Sequence, residues 1–196
     1  MIRAAFFCWK EGQMLKIAYS GIEGAFAHVV ARRLFPDAIH ESCTSFREAY
    51  DAVVNKECDM AVLPIENSYA GPVKEVEELL AEGKLFVNDE YSLLIVQNLL
   101  GKRGSRIRDI KKVVSQHKAI EQCDEYIKSK GYEVSYSENT AVAAKHVALG
   151  NDMSQAAIAS LEVAAIYGLK VLDEHINEKD DNTTRFVVVS CEEGRR

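Results

Sequence analysis

The sequence predicts a two-lobe α/β protein with its ligand site in the cleft between the lobes. Three observations carry this. Strand-like and helix-like segments alternate almost throughout the chain. Residues 85–100 hold two apolar runs around Tyr91-Ser92, long for one strand and suited to leaving one sheet for another. A last apolar run, 184–190, can return to the first sheet. Repeated β-α-β units imply parallel sheets with helices on both faces, and ligands of such two-lobe proteins sit between the lobes.

The elements follow in order. Leu15-Lys16-Ile17-Ala18-Tyr19 reads as a buried strand. Gly21 and Gly24 then open a helix whose Phe26, Val29, Val30 and Leu34 form an i, i+3, i+4 stripe. After a short strand at 38–41, Ser45 and Glu48 form a capping box, starting a helix with Phe46, Ala49, Ala52 and Val53 on one face. A strand at 60–64 leads into a loop over 66–72 and a helix over 73–81. Residues 111–115 read as a strand, 118–130 as one helix, and 132–137 as an alternating strand. Residues 140–149 form an Ala-rich helix and 156–159 a strand. Ser160 caps a helix ending near Gly168, 169–172 is a strand, and the polar run 178–182 is a surface loop. The expected division is an extension at 1–13 and a catalytic region at 14–196, with lobe 1 at 14–90 plus 176–190 and lobe 2 at 91–175.

Composition narrows the function. At 196 residues and 47% apolar, the chain buries a real core as one large domain or two small lobes. A net charge of −6 gains nothing from counterion release, which argues against nucleic acid. An anionic ligand must then find local positive potential, from a few Arg or Lys or from helix N-termini. Cys8, Cys43, Cys58, Cys123 and Cys191 are widely spaced with no C-x-x-C pair, as expected of reduced thiols in a cytoplasmic protein. The histidines show no metal-ligand spacing, so no metal is expected. No apolar run reaches the roughly 20 residues of a membrane span. Residues 1–13 lack signal-peptide features and read as an extension or a partner-packing arm.

Four short segments can carry chemistry. Gly21-Ile22-Glu23-Gly24 follows a strand, either as a tight turn or as a place where a helix N-terminus meets an anion; it lacks the G-x-G-x-x-G dinucleotide pattern. Glu66-Asn67-Ser68 stands at a strand's end, where α/β folds place ligands, and equally suits a turn bonded to its own backbone. Ser115 and Gln122 flank a helix start, as a cap with one exposed amide or as site residues. In Thr183-Thr184-Arg185-Phe186, strand alternation puts Thr184 and Phe186 on one face and Arg185 on the other. Arg185 either clamps a carboxylate in bidentate fashion or pairs with a surface acid.

Together these segments resemble the catalytic domain of prephenate dehydratase. The ordered set is Ala18-Tyr19-Ser20-Gly21-Ile22-Glu23-Gly24-Ala25-Phe26, then Pro64-Ile65-Glu66-Asn67-Ser68 with Gly71, then Ser115 to Cys123. Thr140-Ala141-Val142-Ala143-Ala144, Ala156-Ala157-Ile158-Ala159-Ser160, Tyr167-Gly168-Leu169 and Asn182-Thr183-Thr184-Arg185-Phe186 complete it. The resemblance implies a fold like periplasmic binding proteins and a cofactor-free conversion of prephenate to phenylpyruvate, water and carbon dioxide. It implies a catalytic Thr184, and a substrate pocket with Glu66, Asn67, Ser68, Ser115, Gln122, Arg185, Phe186, Gly24, Ala25 and Phe26. Within it, Arg185 or the Gly24 turn is expected to hold the pyruvyl carboxylate, and Glu66 to orient Asn67 or, if burial raises its pKa, to act as an acid. Arogenate dehydration, non-aromatising decarboxylation and a non-catalytic anion-binding module are the alternatives. A homodimer is expected.

Three departures stand out. Gln116-His117 replaces the family's His-Pro, and Ala27 stands where a pocket hydroxyl is common. The chain ends at Arg196, so regulation through the family's C-terminal ACT domain is not expected.

Overall fold

The computed structural model describes residues 14–193, so the expected extension at 1–13 lies outside the described residues. In chain order the elements are β1 (Lys16–Ser20), α1 (Phe26–Leu34), β2 (Ile39–Cys43), α2 (Phe46–Val54), β3 (Met60–Asn67), β4 (Gly71–Pro72) and α3 (Lys74–Ala81). They continue with β5 (Phe86–Leu94), β6 (Asn98–Gly101), β7 (Lys112–Ser115), α4 (His117–Glu121), α5 (Asp124–Lys130) and β8 (Glu133–Tyr136). The last are α6 (Thr140–Leu149), β9 (Gln155–Ala159), α7 (Leu161–Tyr167), β10 (Lys170–Asp173) and β11 (Thr183–Ser190). The chain divides into two compact α/β units. The first holds the described residues up to Ile22, 26–93 and those from Thr183 on; the second holds 23–25 and 94–182.

The first unit carries one sheet in the order β2-β1-β3-β11-β5, with β4 on β3. Helical crossovers make β1 parallel to both β2 and β3, while β11 returns antiparallel on β3. The sheet is therefore mixed, and not the parallel one the β-α-β rhythm suggested. Tyr50, Val53, Leu63, Leu79 and Val187 form part of its core. The capping box is present in altered form. Ser45 Oγ accepts the Glu48 N–H, but the Glu48 carboxylate accepts from the N–H and hydroxyl of Thr44, which hold its carboxyl below the usual range. The segment predicted as a loop over 66–72 is a hairpin. Glu66 and Asn67 continue β3 because their backbone pairs with Pro72 and Gly71 on one side and with Arg185 and Thr184 on the other.

The second unit has the order β10-β6-β9-β7-β8, parallel across β9-β7-β8 and antiparallel at β6 and β10. Leu99, Val113, Ile120 and Ile158 lie in its core. The helix predicted over 118–130 is two helices. At the break, Gln122 gives its carbonyl to the Glu178 N–H, taking it out of the helical ladder. Residues 176–182, expected with lobe 1, group with this unit: Ile176 is buried in its core and donates its N–H to the Gln97 carbonyl.

His28 on α1 is 4% exposed. Its ring centroid lies 4.7 Å from Tyr19 and 5.7 Å from His40, edge-on to the latter. Burial first, then the neighbouring His40 and Arg32, push its pKa from 6.5 to about 4. The folded chain therefore binds a proton there less readily than the unfolded chain. The stabilising contribution is complete above pH 6.5 and is lost as pH falls toward about 4. At about 1.4 kcal/mol per pH unit of displacement, the loss amounts to about 3 kcal/mol. Urea unfolding of wild type and His28→Gln, compared at about pH 7.5 and about pH 4, tests this. Wild type should lose about 3 kcal/mol more than the variant; equal losses would remove His28 as the cause.

Candidate active site

Two segments far apart in sequence meet on adjacent strands of the first unit. Thr184 pairs with Asn67 and Arg185 with Glu66; the register then shifts, so that Phe186 faces Pro64. Ile65 is the residue left over, a β-bulge of the kind that re-aims side chains near sites. Ser68 closes the end of this ladder: its N–H donates to the Thr183 carbonyl (2.9 Å) and its Oγ accepts the Thr183 N–H (3.0 Å).

The Asn67 amide has one orientation. Its Oδ1 accepts the N–H groups of Tyr69 (3.1 Å) and Ala70 (3.0 Å), which fixes the oxygen on the turn side. Its Nδ2 must then face β11, where it donates to Thr184 Oγ1 at 2.9 Å and to the Thr183 carbonyl at 3.3 Å. Thr184 is thus an acceptor from Asn67, and its own hydroxyl proton is left to point elsewhere. The side chain is half-buried, with no acceptor for that proton among the described residues.

The charged neighbours lie on the other face. Arg185 is exposed and its guanidinium meets Glu66 at 2.8 Å and Glu90 at 3.5 Å. It is paired with surface acids, the blander of its two readings. Glu66 does not orient Asn67: strand alternation puts the two side chains on opposite faces, and the carboxylate is taken up by Arg185. Phe186 is 2% exposed and packed in the core.

The remaining predicted residues divide between the units. Phe26 begins α1 in the first, half-buried. Ser115 ends β7 in the second, fully buried, its Oγ donating to the Ile158 carbonyl at 2.6 Å. Gln122 is half-buried at the α4–α5 break, its Oε1 accepting from Gln97 Nε2 at 3.4 Å. Gly24 and the half-buried Ala25 also belong to the second unit. Gly24 has φ +91°, and a Cβ there would stand 3.1 Å from Val163 Cγ2. Packing against α6 and α7, together with a left-handed backbone, is enough to require glycine. Sequence reasoning passed over Gln97, although an amide pair, Gln97-Asn98, inside an otherwise apolar run was a visible signal.

Two mixed sheets with helices packed on them and polar motifs at their strand ends define an α/β protein. The sequence profile of the prephenate dehydratase family matches residues 17–194, and the chain belongs to that family. It is 37% identical to arogenate dehydratase 2 of Petunia hybrida over 182 residues, covering 93% of this chain and 46% of the relative. Among solved structures, the prephenate dehydratase of Staphylococcus aureus superposes with a TM-score of 0.81 at 30% identity, over 91% of this chain and 67% of that one. A protein described as a quorum-quenching acylase, GqqA, superposes with a TM-score of 0.83 at 30% identity, over 89% of this chain and 63% of that one. The chain spans about half the length of the curated relatives it matches.

Gly24→Ala should destabilise the fold by about 1–3 kcal/mol through backbone strain and crowding of Val163. A lowered urea midpoint is the expected result; an unchanged one would mean that the turn relaxes without cost.

Proposed function

We propose that the chain catalyses the decarboxylating dehydration of prephenate to phenylpyruvate, with Thr184 as the acid assisting departure of the ring hydroxyl. The observation that carries this is the hydrogen bond from Asn67 Nδ2 to Thr184 Oγ1 at 2.9 Å. It occupies one lone pair of the threonine oxygen and leaves the hydroxyl proton available to a substrate. The bond from the ring to the departing carboxylate breaks and its electron pair enters the ring, while the C–O bond breaks on the other side. The departing oxygen takes the Thr184 proton as it leaves, and a solvent proton restores the hydroxyl. Threonine is too weak an acid to give up its proton early, so transfer keeps pace with C–O cleavage. As negative charge grows on Oγ1, the Asn67 N–H is already aimed at it, the arrangement that stabilises a transition state without reorganisation.

Charge bookkeeping shapes the rest of the site. The departing carboxylate loses its charge in the transition state, so a cation gripping it would oppose the reaction. The pairing of Arg185 with Glu66 and Glu90 supports a Thr184 site that relies on neutral donors, with the Ser68 hydroxyl among them. Cys43, Cys58, Cys123 and Cys191 are free thiols, which supports a reducing, cytoplasmic setting.

The Petunia relative's name favours a second reading, in which the substrate is arogenate, the amino-acid counterpart of prephenate. An acylase at Thr184 is disfavoured. A nucleophilic hydroxyl needs a base to take its proton, and the described side-chain partner of Thr184 is an amide that donates to it.

Ultraviolet absorbance of phenylpyruvate on mixing with prephenate tests the activity directly. Thr184→Val should lower kcat by about 10²–10⁴-fold, and Thr184→Ser should keep most of it. Asn67→Asp reverses the polarity by giving Thr184 an acceptor, and should lower kcat by about 10²-fold or more while the fold persists by circular dichroism. Wild-type turnover by Thr184→Val would end the assignment of Thr184.

A further inference from the structure

We infer that Gln97 and Ser160 contact the substrate, and that the side-chain oxygen of Gln97, Oε1, is the acceptor for the ammonium group of an amino-acid substrate; this rests on the dehydratase reading above. The argument begins with place. β9, β7 and β8 run parallel and end at Ala159, Ser115 and Tyr136. Ligands of α/β sheets bind at that end of the strands. Gln97 immediately precedes β6, whose first residue, Asn98, pairs with Ala159. Ser160 immediately follows Ala159. Both therefore stand at the edge that carries Ser115.

The second observation is unmet bonding. Gln97 is 2% exposed and Ser160 is 5% exposed. Gln97 Oε1 and Ser160 Oγ have no hydrogen-bond partner among the described residues. Folding alone does not favour such groups, because a buried polar atom without a partner forfeits its hydration. Ser160 sharpens the point. It occupies the N-cap position of α7, where serine normally bonds the helix backbone, yet its side chain makes no such bond. Gln97 is otherwise satisfied: its N–H donates to Asn177 Oδ1 at 2.9 Å, its carbonyl accepts the Ile176 N–H at 2.9 Å, and its Nε2 donates to Gln122 Oε1 at 3.4 Å. The one open group is Oε1.

The third step is chemical. Gln97 and Gln122 face one another amide to amide, so the orientation of one dictates that of the other. With Gln97 donating, its oxygen remains open as an acceptor. With both amides turned, its nitrogen would remain open as a donor. Prephenate and arogenate differ at one carbon, keto in the first and ammonium in the second. An open acceptor suits the ammonium and repels the keto oxygen, so the amino-acid form goes with the orientation in which Gln97 donates to Gln122. The Ser160 hydroxyl, able to donate or accept, serves either substrate.

The test is steady-state kinetics of the purified chain with both substrates, alongside thermal melts. Gln97→Met should lower kcat/KM for arogenate about 10- to 100-fold, mostly through KM, and lower it less for prephenate, so the preference ratio falls. Gln97→Glu keeps an acceptor in nearly the same shape, and should preserve arogenate turnover while losing prephenate. Ser160→Ala should raise KM for both substrates about tenfold while the melting temperature holds or rises, because no protein hydrogen bond is lost. A purely structural role would move the melts and leave the ratio untouched. Unchanged kinetics in Ser160→Ala together with an unchanged ratio in both Gln97 variants would overturn the inference and leave the dehydratase reading standing. A wild-type chain that converts neither substrate would overturn that reading and this inference with it.

Discussion

The chemistry proposed for this chain depends on the direction in which one amide points. Asn67 cannot turn over without placing its NH₂ group against the N–H groups of Tyr69 and Ala70. That local constraint decides the polarity of a hydroxyl on another strand. Had the oxygen of Asn67 faced β11, Thr184 would donate to it and have no proton to offer a substrate. The turn at 68–70 and the antiparallel register of β3 on β11 therefore matter more to function than the core beneath them. A one-residue slip of either strand would carry Thr184 to the opposite face and bring Arg185 in its place. The Ser68–Thr183 pair of bonds opposes that slip at the strand end.

The same strand geometry separates charge from chemistry. Alternation along β11 sends Thr184 to one face and Arg185 to the other, where it meets Glu66 and Glu90. Exposed pairs of this kind contribute at most about 1 kcal/mol each to stability. Their larger consequence is to neutralise a guanidinium close to the site. In the proposed reaction a substrate that sheds carbon dioxide would gain from this, since a strong cation beside the departing carboxylate would hold the ground state more tightly than the transition state.

What the sequence made legible follows the range of the interactions involved. α6 was read at its observed bounds, because an alanine-rich run is a local signal of helix. The candidate motifs stood out because each is a short run at a strand end, polar in Glu66-Asn67-Ser68 and glycine-flanked in Gly21-Ile22-Glu23-Gly24. The single helix expected over 118–130 failed because its break depends on Glu178, which lies far along the chain and draws away the Gln122 carbonyl. Likewise, the reach of β3 through Asn67 was hidden, because the two strands that pair with it there come from different places in the sequence. Glu66 was assigned to Asn67 by adjacency, when its partner was across the sheet.

Gln97 and Ser160 show why such residues escape a reading by pattern. In sequence, Gln97 interrupts an apolar strand and Ser160 looks like an ordinary helix cap. Each becomes informative only when its partners are sought and one atom is found without any. Hydrophobic burial can hold such atoms in place, but it gives no reason for their being polar; methionine and alanine would fill the same space with less penalty. An apolar core tolerates a polar group for specificity or for a ligand, and functional sites are where stability is commonly given up. The Gln97–Gln122 amide pair adds one feature that an isolated glutamine lacks. Its two orientations present opposite hydrogen-bonding faces within one shape, so a single pocket can offer an acceptor to an ammonium or a donor to a keto oxygen without moving its backbone, and selects between them when one orientation is held.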